Sequence, residues 1–257
     1  MSSQNINRPT RIFLNGCCGH MGRVIVDICS SIDDAIIVGG ADANPQEMGF
    51  PVCASADACR LDYDVMIDFS HPGALPAVLQ LTRTSGKPLV MCTTGFSKEE
   101  QEMIRAMSGT NAIFLSGNMS LGINVLIDLV KKAAQVLYPD FDIEIIEQHH
   151  RRKIDAPSGT ALMIADEINH TQGDIFDYEY DRHSARKARD GHSIGIHSIR
   201  GGNIVGEHAV LFAGPEENIT ISHSASTRDV FARGAVKAAL FLSGKGPGLY
   251  SMKDLLA

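Results

Sequence analysis

The chain has 257 residues, of which 44% are hydrophobic and 21% are charged, and this composition excludes a disordered or fibrous protein. At roughly 150 residues per domain, the length predicts one large domain or two modest ones. The net charge of −7 argues against a nucleic-acid-binding surface, and the lack of any apolar run of roughly 18–20 residues argues against a membrane span.

The first part of the chain, up to about residue 118, alternates between strand-like and helix-like patterns. Apolar, β-branched runs predict strands at 11–14, 35–41, 65–67, 88–92 and 112–115. Apolar residues recur at helical spacing from Met21 onward. Ser97 and Glu100 form a capping box that begins a helix ending near Met107. Strands that alternate with helices of this length are βαβ units, so we predict a doubly wound parallel sheet of the α/β class.

The pattern changes near residues 118–121, which is the best candidate for a domain boundary. The segments predicted beyond it, in chain order, are an amphipathic helix at 121–137, a strand at 141–145 with alternating apolar and acidic residues, a long polar loop at 171–191, strands near 193–200, 204–213 and 217–224, and a last helix at 230–242. Short turns between successive strands indicate antiparallel or mixed pairing. We therefore expect a second, smaller α+β domain with a mixed sheet.

The cysteines all lie in the first 92 residues and form neither a C-x-x-C pair nor a zinc-like spacing with histidine. We therefore predict no metal site and free thiols, as expected in a reducing cytoplasm. A vicinal redox pair is the alternative for the first two. The polar N-terminal segment lacks the apolar core of a secretory signal, which also favours a cytoplasmic location. The residues are Cys17, Cys18, Cys29, Cys53, Cys59 and Cys92.

A glycine-rich loop, GCCGHMG at residues 16–22, connects the first predicted strand to the first helix. In a Rossmann-like domain, glycines at such positions permit a tight turn, close approach of the backbone to a pyrophosphate, and close packing of helix on strand. The helix N-terminus then offers N–H groups to the phosphates. The loop predicts a dinucleotide site, and a βα turn without a ligand is the alternative.

Asp42 ends the second predicted strand, at the place where an acid typically binds a ribose hydroxyl. An exposed loop aspartate is the alternative. A cofactor with a 2′-phosphate would need a basic residue nearby. Asp42 is instead followed by Ala43-Asn44-Pro45, and the loop carries His20. These features favour NADH over NADPH.

The densest group of reactive side chains is the segment 147–160, EQHHRRKIDAPSGT. Residues 149–153 can all carry or accept positive charge, and Ser158 is a good N-cap for the helix predicted after it. Cationic side chains beside a helix N-terminus suit a small anion, especially a carboxylate, and His and Lys can donate protons. The alternatives are a solvated basic face and a phosphate or nucleic-acid patch. His208 and His223, in later predicted strands, are interpreted as structural.

This segment resembles the E-x-H-H-x-x-K-x-D-A-P-S-G-T-A signature of the 4-hydroxy-tetrahydrodipicolinate reductase (dihydrodipicolinate reductase) family. Further blocks that resemble the family span nearly the whole chain, at 16–22, 93–95, 116–124, 200–202, 206–208 and 231–235. The resemblance implies NAD(P)H-dependent reduction of the dihydrodipicolinate or 4-hydroxy-tetrahydrodipicolinate substrate to tetrahydrodipicolinate, in lysine and diaminopimelate biosynthesis. Hydride would go to C4, followed by protonation.

The resemblance also implies roles for individual residues. His149 and Lys153 would be catalytic, as the two candidates for the proton donor. His150, Gly159 and Thr160 would bind the carboxylates of the substrate. The residues that would bind the cofactor are Gly16, Cys17, Cys18, Gly19, His20, Met21, Asp42, Cys92, Thr93, Thr94, Ser116, Gly117, Asn118 and Met119.

By the same resemblance, residues 1–118 and 231–257 would bind the dinucleotide, and residues 119–230 would bind the substrate and form a homotetramer. Family members that use NADPH often carry Arg or Lys where His20 stands, so we expect NADH to be preferred and NADPH to be possible. Two alternatives stay open. One is another two-domain NAD-dependent dehydrogenase, and the other is an NAD(H)-sensing binding protein whose basic segment contacts DNA or a protein partner.

Overall fold

The structure is a computed structural model that describes residues 8–184 and 186–257. The chain divides into two compact units. The first contains the residues up to Ser120 together with Asp229–Ala257, and the second contains Leu121–Arg228. None of the helices in the described ranges has the length and hydropathy that a membrane span requires.

The first unit is built on a parallel sheet of seven strands, which confirms the predicted doubly wound domain. Numbered in chain order, its strands are β1 (Thr10–Asn15), β2 (Ala35–Ala41), β3 (Val52–Cys53), β4 (Val65–Asp68), β5 (Leu89–Met91), β6 (Ala112–Leu115) and β12 (Gly248–Tyr250). Their spatial order is β12-β6-β5-β4-β1-β2-β3, and every pairing is parallel. The order reverses at β1, and such a reversal opens a crevice at the carboxyl ends of the strands.

Helices cover both faces of this sheet. They are α1 (His20–Ser30), α2 (Leu75–Ser85), α3 (Lys98–Ala106), α6 (Asp229–Leu242) and α7 (Met252–Leu256), with 3₁₀ turns at Ala56–Ala58, Pro72–Ala74 and Met107–Gly109. Helices α2 and α3 pack with Phe13 and Met66 on one face. Helices α1 and α6 contact each other, and α6 also contacts β4, β5 and β6. The capping box predicted at Ser97 is present, since its hydroxyl accepts from the Glu100 N–H and the Glu100 carboxylate accepts from the Ser97 N–H.

Four strands and helices of this unit were not predicted. The strands β3 and β12 and the helix α7 have two, three and five residues, too few to show a periodic pattern. The helix α2 carries Pro76 near its beginning, where proline is tolerated because an N–H in the first turn has no partner within the helix.

The second unit contains a mixed sheet, as predicted, and the sheet has five strands. Its strands are β7 (Asp142–His149), β8 (Asp177–Glu179), β9 (Ser193–Arg200), β10 (Gly206–Ala213) and β11 (Asn218–Ala225), and its helices are α4 (Leu121–Leu137) and α5 (Gly159–Thr171). The spatial order is β11-β10-β7-β9-β8. Strand β10 is antiparallel to both β7 and β11, whereas β9 is parallel to both β7 and β8.

Two predictions about this unit were wrong in detail. The segment 171–191, predicted as a loop, contains β8, which is a three-residue edge strand. The strand predicted at 141–145 continues to His149, because the main chain of 147–149 pairs with both β9 and β10. The reactive segment therefore begins inside the sheet rather than after it.

Alternation along β7 places four residues on one face of the sheet. Ile143 and Ile145 belong to the apolar core that α4 and α5 complete. Glu147 and His149 follow in the same phase and are also buried. The inward face of β7 thus passes from apolar to ionisable side chains within one strand.

We expect Gly234→Ala to destabilise the first unit. A Cβ at Gly234, in α6, would lie 1.7 Å from the carbonyl oxygen of Met119. An alanine usually stabilises a helix interior, but here it overpacks the contact and should lower the free energy of unfolding by about 1–3 kcal/mol. Gly109→Ala is the control, because a Cβ there meets nothing within 4 Å. Equal denaturation midpoints for both variants would contradict the packing argument.

Candidate active site

The glycine-rich loop of the first unit is a turn that only glycine can form at two positions. Gly16 has φ +83°, and a Cβ there would lie 2.3 Å from the carbonyl oxygen of Phe69. A Cβ at Gly22 would lie 2.2 Å from the carbonyl oxygen of Gly16. The loop therefore packs tightly against β4 and α1, as the spacing of the glycines predicts.

The loop ends at α1, whose N-cap is Gly19 and whose first turn receives no side-chain cap among the described residues. Such an N-terminus attracts phosphate. A cavity of about 560 Å³ lies beside the loop and is lined by Asn15, Gly16, Gly19, Asp42, Ser70 and nine further residues of the first unit. The glycine turn, the helix N-terminus and this cavity together fit a dinucleotide.

Asp42 lies at the loop, where an acid was predicted. One oxygen of its carboxylate accepts from the Cys18 N–H at 3.0 Å and the other accepts from the Asn44 N–H at 3.0 Å. Arg23, in α1, donates to the Cys18 carbonyl and to the Gln46 side chain. The structure thus places a guanidinium near the segment that follows Asp42, a neighbour that the sequence order alone did not reveal.

Cys17 can offer its main chain to a ligand, but not its thiol. Its side chain is fully buried, and burial is the main cause that raises the pKa of the thiol to about 12. The Sγ atoms of Cys17 and Cys18 lie 3.8 Å apart, and both are free thiols. Burial also raises the pKa of Cys92.

The other residues assigned to the cofactor follow β5 and β6, two neighbouring parallel strands, so they share the carboxyl edge of the sheet. The Thr93 hydroxyl accepts from the Ser70 N–H at 2.9 Å, which joins the ends of β5 and β4. The Ser116 hydroxyl donates to the Asn118 carbonyl at 2.8 Å. Met119 is buried, and Thr94 is exposed.

Glu147 is the first residue of the reactive segment in the second unit, and its side chain is fully buried. Its carboxylate accepts two hydrogen bonds from Arg200, at 2.6 and 2.8 Å. It also accepts from the Ser158 N–H at 3.1 Å and faces Nδ1 of His149 at 2.5 Å. Burial alone would raise the pKa of Glu147, but hydrogen bonds from Arg200, Ser198 and His149 outweigh it and hold the pKa at about 2. The carboxylate is therefore charged at neutral pH.

The charge on Glu147 determines which ring nitrogen of His149 carries a hydrogen toward it. An ionised carboxylate can only accept, so Nδ1 of His149 must donate to it. The other ring nitrogen, Nε2, lies beside Gly206, where an added Cβ would be 3.2 Å from it. The ring packs edge to face on His208, with centroids 5.2 Å apart. A side chain at position 206 would press on the outer nitrogen of His149.

His208 is buried and neutral. Burial, followed by the neighbouring His149, lowers its pKa to about 4. Its Nε2 lies 3.2 Å from the Ser158 hydroxyl, and that hydroxyl also accepts from the Ala161 N–H to cap α5. This histidine, interpreted as structural from the sequence, thus packs against the reactive segment.

The loop between β7 and α5 carries the remaining basic side chains. Lys153 forms an ion pair with Asp155 at 2.8 Å, and this partner is the main cause that lowers the pKa of Asp155. Nε2 of His150 accepts from Arg228 at 3.0 Å. Burial and the nearby guanidinium groups of Arg152 and Arg228 lower the pKa of His150. The loop is a cationic surface that favours a bound anion.

This loop leads into the first turn of α5, which contains Gly159 and Thr160 and is the positive end of a helix of 13 residues. The structure therefore brings the predicted residues His149, His150, Lys153, Gly159 and Thr160 into one continuous strand–loop–helix segment. Its chemistry suits an anion that must also receive a proton.

Neither Glu147 nor Arg200 was assigned a role from the sequence. The signal for Glu147 was present, because it continues the inward row of Ile143 and Ile145 at a spacing of two. Arg200 lies on β9, and its position opposite His149 depends on the parallel pairing of β7 with β9. Sequence order alone does not reveal that pairing.

Comparisons with known proteins cover both units. The family model "Dihydrodipicolinate reductase, N-terminus" matches residues 10–119, and "Dihydrodipicolinate reductase, C-terminus" matches residues 122–256. A 4-hydroxy-tetrahydrodipicolinate reductase from Clostridium botulinum is 48% identical over 247 residues, covering 96% of this chain and 98% of the relative. One from Caldanaerobacter subterraneus is 49% identical over 246 residues, with the same coverage.

Solved structures share the fold. A dipicolinate-bound dihydrodipicolinate reductase from Paenisporosarcina sp. TG-14 superposes with a TM-score of 0.79 at 24% identity, covering 95% of this chain and 97% of that one. The myo-inositol dehydrogenase from Lactobacillus casei, in complex with NAD(H) and myo-inositol, has a TM-score of 0.61 at 16% identity, covering 96% and 90%.

Proposed function

The chain belongs to the dihydrodipicolinate reductase family, and we propose that it reduces 4-hydroxy-tetrahydrodipicolinate, or the dihydrodipicolinate derived from it, to tetrahydrodipicolinate in lysine and diaminopimelate biosynthesis. The observation that carries the proposal is the segment from β7 to α5, in which a buried carboxylate contacts His149 next to a cationic loop and a helix N-terminus. This combination of groups suits a dicarboxylate substrate that must be protonated.

The proposed substrate-binding residues are those that the family resemblance implies. His150, Gly159 and Thr160 would hold the carboxylates, and Lys153 would add a positive charge beside them. The first turn of α5 supplies the positive end of the helix dipole. The Paenisporosarcina relative is described as dipicolinate-bound, and dipicolinate is a planar dicarboxylate, which supports the proposed class of ligand.

The first unit would bind NAD(P)H. Residues 16–21 would hold the pyrophosphate, Asp42 the ribose, and the segments 92–94 and 116–119 the nicotinamide end. Since the side chains of Cys17 and Cys92 are buried, these two residues would contribute their main chain. When bound, the dihydronicotinamide supplies the hydride that reduces C4 of the substrate.

Reduction at C4 leaves an enamine in the substrate, and the adjacent carbon must then receive a proton. His149 and Lys153 are the two candidates. His149 can offer Nε2, because its Nδ1 is committed to Glu147. Lys153 forms an ion pair with Asp155. General acid catalysis of this kind contributes about 10²–10⁴-fold.

We propose that the second unit also forms a homotetramer and that the enzyme acts in the cytoplasm. The face of the mixed sheet opposite α4 and α5 carries Ile146, Ile199 and Leu211, and Ile199 is 46% exposed. Exposed apolar side chains on a sheet face are typical of an interface between copies. The free thiols in the described residues agree with a reducing compartment.

The oligomeric state can be measured by light scattering. We expect the mass of four chains of 27.7 kDa, and we expect Ile199→Glu to lower it by placing a charge in the interface. The control is Ile36→Glu in β2, which is 47% exposed in the first unit and should leave the mass unchanged. A monomeric mass for the unaltered chain would contradict the proposal.

The reaction and the cofactor can be tested together by initial-rate oxidation of NADH and NADPH, with the substrate made in situ from pyruvate and aspartate semialdehyde by the preceding synthase. We expect a higher kcat/KM with NADH, because His20 and Asn44 offer no cation to a 2′-phosphate. Measurable NADPH use is expected too, since Arg23 lies near Gln46. A preference for NADPH would overturn the cofactor argument alone, and no oxidation of either would overturn the reaction.

The two candidate proton donors can be tested by substitution. His149→Gln and Lys153→Ala should each lower kcat by about 10²-fold if proton transfer limits turnover. Lys98→Ala, which removes an exposed lysine in α3 of the first unit, is the control and should keep the parental rate. Parental rates in both site variants would remove these two residues from the mechanism.

A further inference from the structure

Glu147 has no reacting role in the proposed chemistry, yet it contacts three separate parts of the segment that would perform it. It faces His149 at the end of β7, accepts from Arg200 at the end of β9, and accepts from the N–H of Ser158, the N-cap of α5. No part of its side chain reaches solvent. A buried charge with this set of partners fixes their relative positions.

Arg200 extends the same network to the loop. Its guanidinium donates two hydrogen bonds to Glu147 and one to the carbonyl oxygen of Asp155, at 2.7 Å. Asp155 in turn pairs with Lys153. The Glu147–Arg200 pair is therefore linked to both candidate proton donors and to the beginning of α5, where the substrate carboxylate would bind.

We propose that Glu147, held by Arg200, is a positioning residue for the reduction: it directs the Nδ1–H of His149 inward, leaves Nε2 for the substrate, and stabilises the imidazolium that donates the proton. This inference rests on the proposed function. In the step, the Nε2–H bond breaks, and a C–H bond forms at the substrate carbon adjacent to C4 with the electron pair of the enamine C=C bond, which leaves a C=N bond in the product. The electron pair of the broken bond stays on Nε2, and the Nδ1–H bond to Glu147 persists throughout.

The positioning role requires a carboxylate at position 147, because an amide there can donate a hydrogen bond as well as accept one. Glutamine has nearly the same shape as glutamate but can present its NH₂ group to Nδ1. Nδ1 would then accept, and the proton of a neutral ring would move to Nε2. The charge that stabilises an imidazolium would also be lost, so Glu147→Gln should affect proton donation more than substrate binding.

Other ionisable groups lie near His149 and bear on any pH dependence. Arg200 on β9, His208 on β10 and His150 in the loop are its neighbours. His223 on β11 and Lys153 lie near His208, and Asp155 pairs with Lys153. His208 is neutral and buried, so it brings no charge to the His149 ring. The group that contacts this ring with a negative charge is Glu147.

The test is a double-mutant cycle on kcat with Glu147→Gln, His149→Gln and the two combined. We expect Glu147→Gln to lower kcat by about 10²-fold, and to lower it by less than about twofold once His149 is already glutamine. The dissociation constant of dipicolinate, used as the probe, should change by less than about threefold. The alkaline limb of the kcat profile should move to lower pH, because loss of the carboxylate destabilises the imidazolium.

Glu144→Gln is a matched control. Glu144 lies on the same strand and also accepts from a histidine and two arginines, His197, Arg182 and Arg189, but on the opposite face of the sheet. The Glu144→Gln variant should keep kcat within about twofold of the parental value. If Glu147→Gln does not fold, Glu147→Asp keeps the charge but shortens the side chain, and the same cycle applies to it.

The outcomes separate the two proposals. No turnover by the unaltered enzyme would overturn the proposed function itself. Turnover by the unaltered enzyme, together with an equal loss from the Glu147 variant in both His149 backgrounds, would overturn the positioning role. A large loss of dipicolinate binding with an unchanged pH profile would overturn it too, since a merely structural residue gives that result.

Discussion

The carboxylate of Glu147 carries its negative charge inside the second unit, out of contact with solvent. Removing a charge from water costs several kcal/mol unless partners compensate it. Here the compensation comes from Arg200, His149 and the N–H of Ser158. These groups come from two strands and the N-terminus of a helix, so none of the three elements can shift without leaving a buried charge poorly paired. The geometry of the site follows from this one constraint.

In the first unit a buried carboxylate also lies at the end of a strand, but it is compensated by different partners. Asp68, at the carboxyl end of β4, is buried and accepts from Asn15 at 2.7 Å and from Ser70 at 2.6 Å. Burial raises its pKa, and its partners are neutral groups rather than a guanidinium. In both units, strands that are apolar along most of their length end in hydrogen-bonding side chains. Apolar packing therefore holds the strands, while their ends supply the chemistry.

The long elements were predictable because their patterns repeat over enough residues. The bounds expected for α4, β2, β6 and the strand at 193–200 agree with those observed, and the capping box and the N-cap at Ser158 lie where predicted. Short elements such as β8 offer no periodicity. Glu147 was overlooked because the strand was predicted to end at residue 145, so the inward row of Ile143 and Ile145 was not continued to Glu147. Arg200 depends on a strand pairing across 53 residues, which a local pattern cannot encode.

The central claim is that an ionised Glu147 receives the Nδ1–H of His149. A long-range ¹H–¹⁵N spectrum of the histidine-labelled protein, assigned with His149→Gln, tests it most directly. At a pH at which the ring is neutral, we expect Nδ1 of His149 to be protonated and Nε2 to be bare, with this pattern lost in Glu147→Gln. A proton on Nε2 of the neutral ring, or an identical spectrum in Glu147→Gln, would contradict the account.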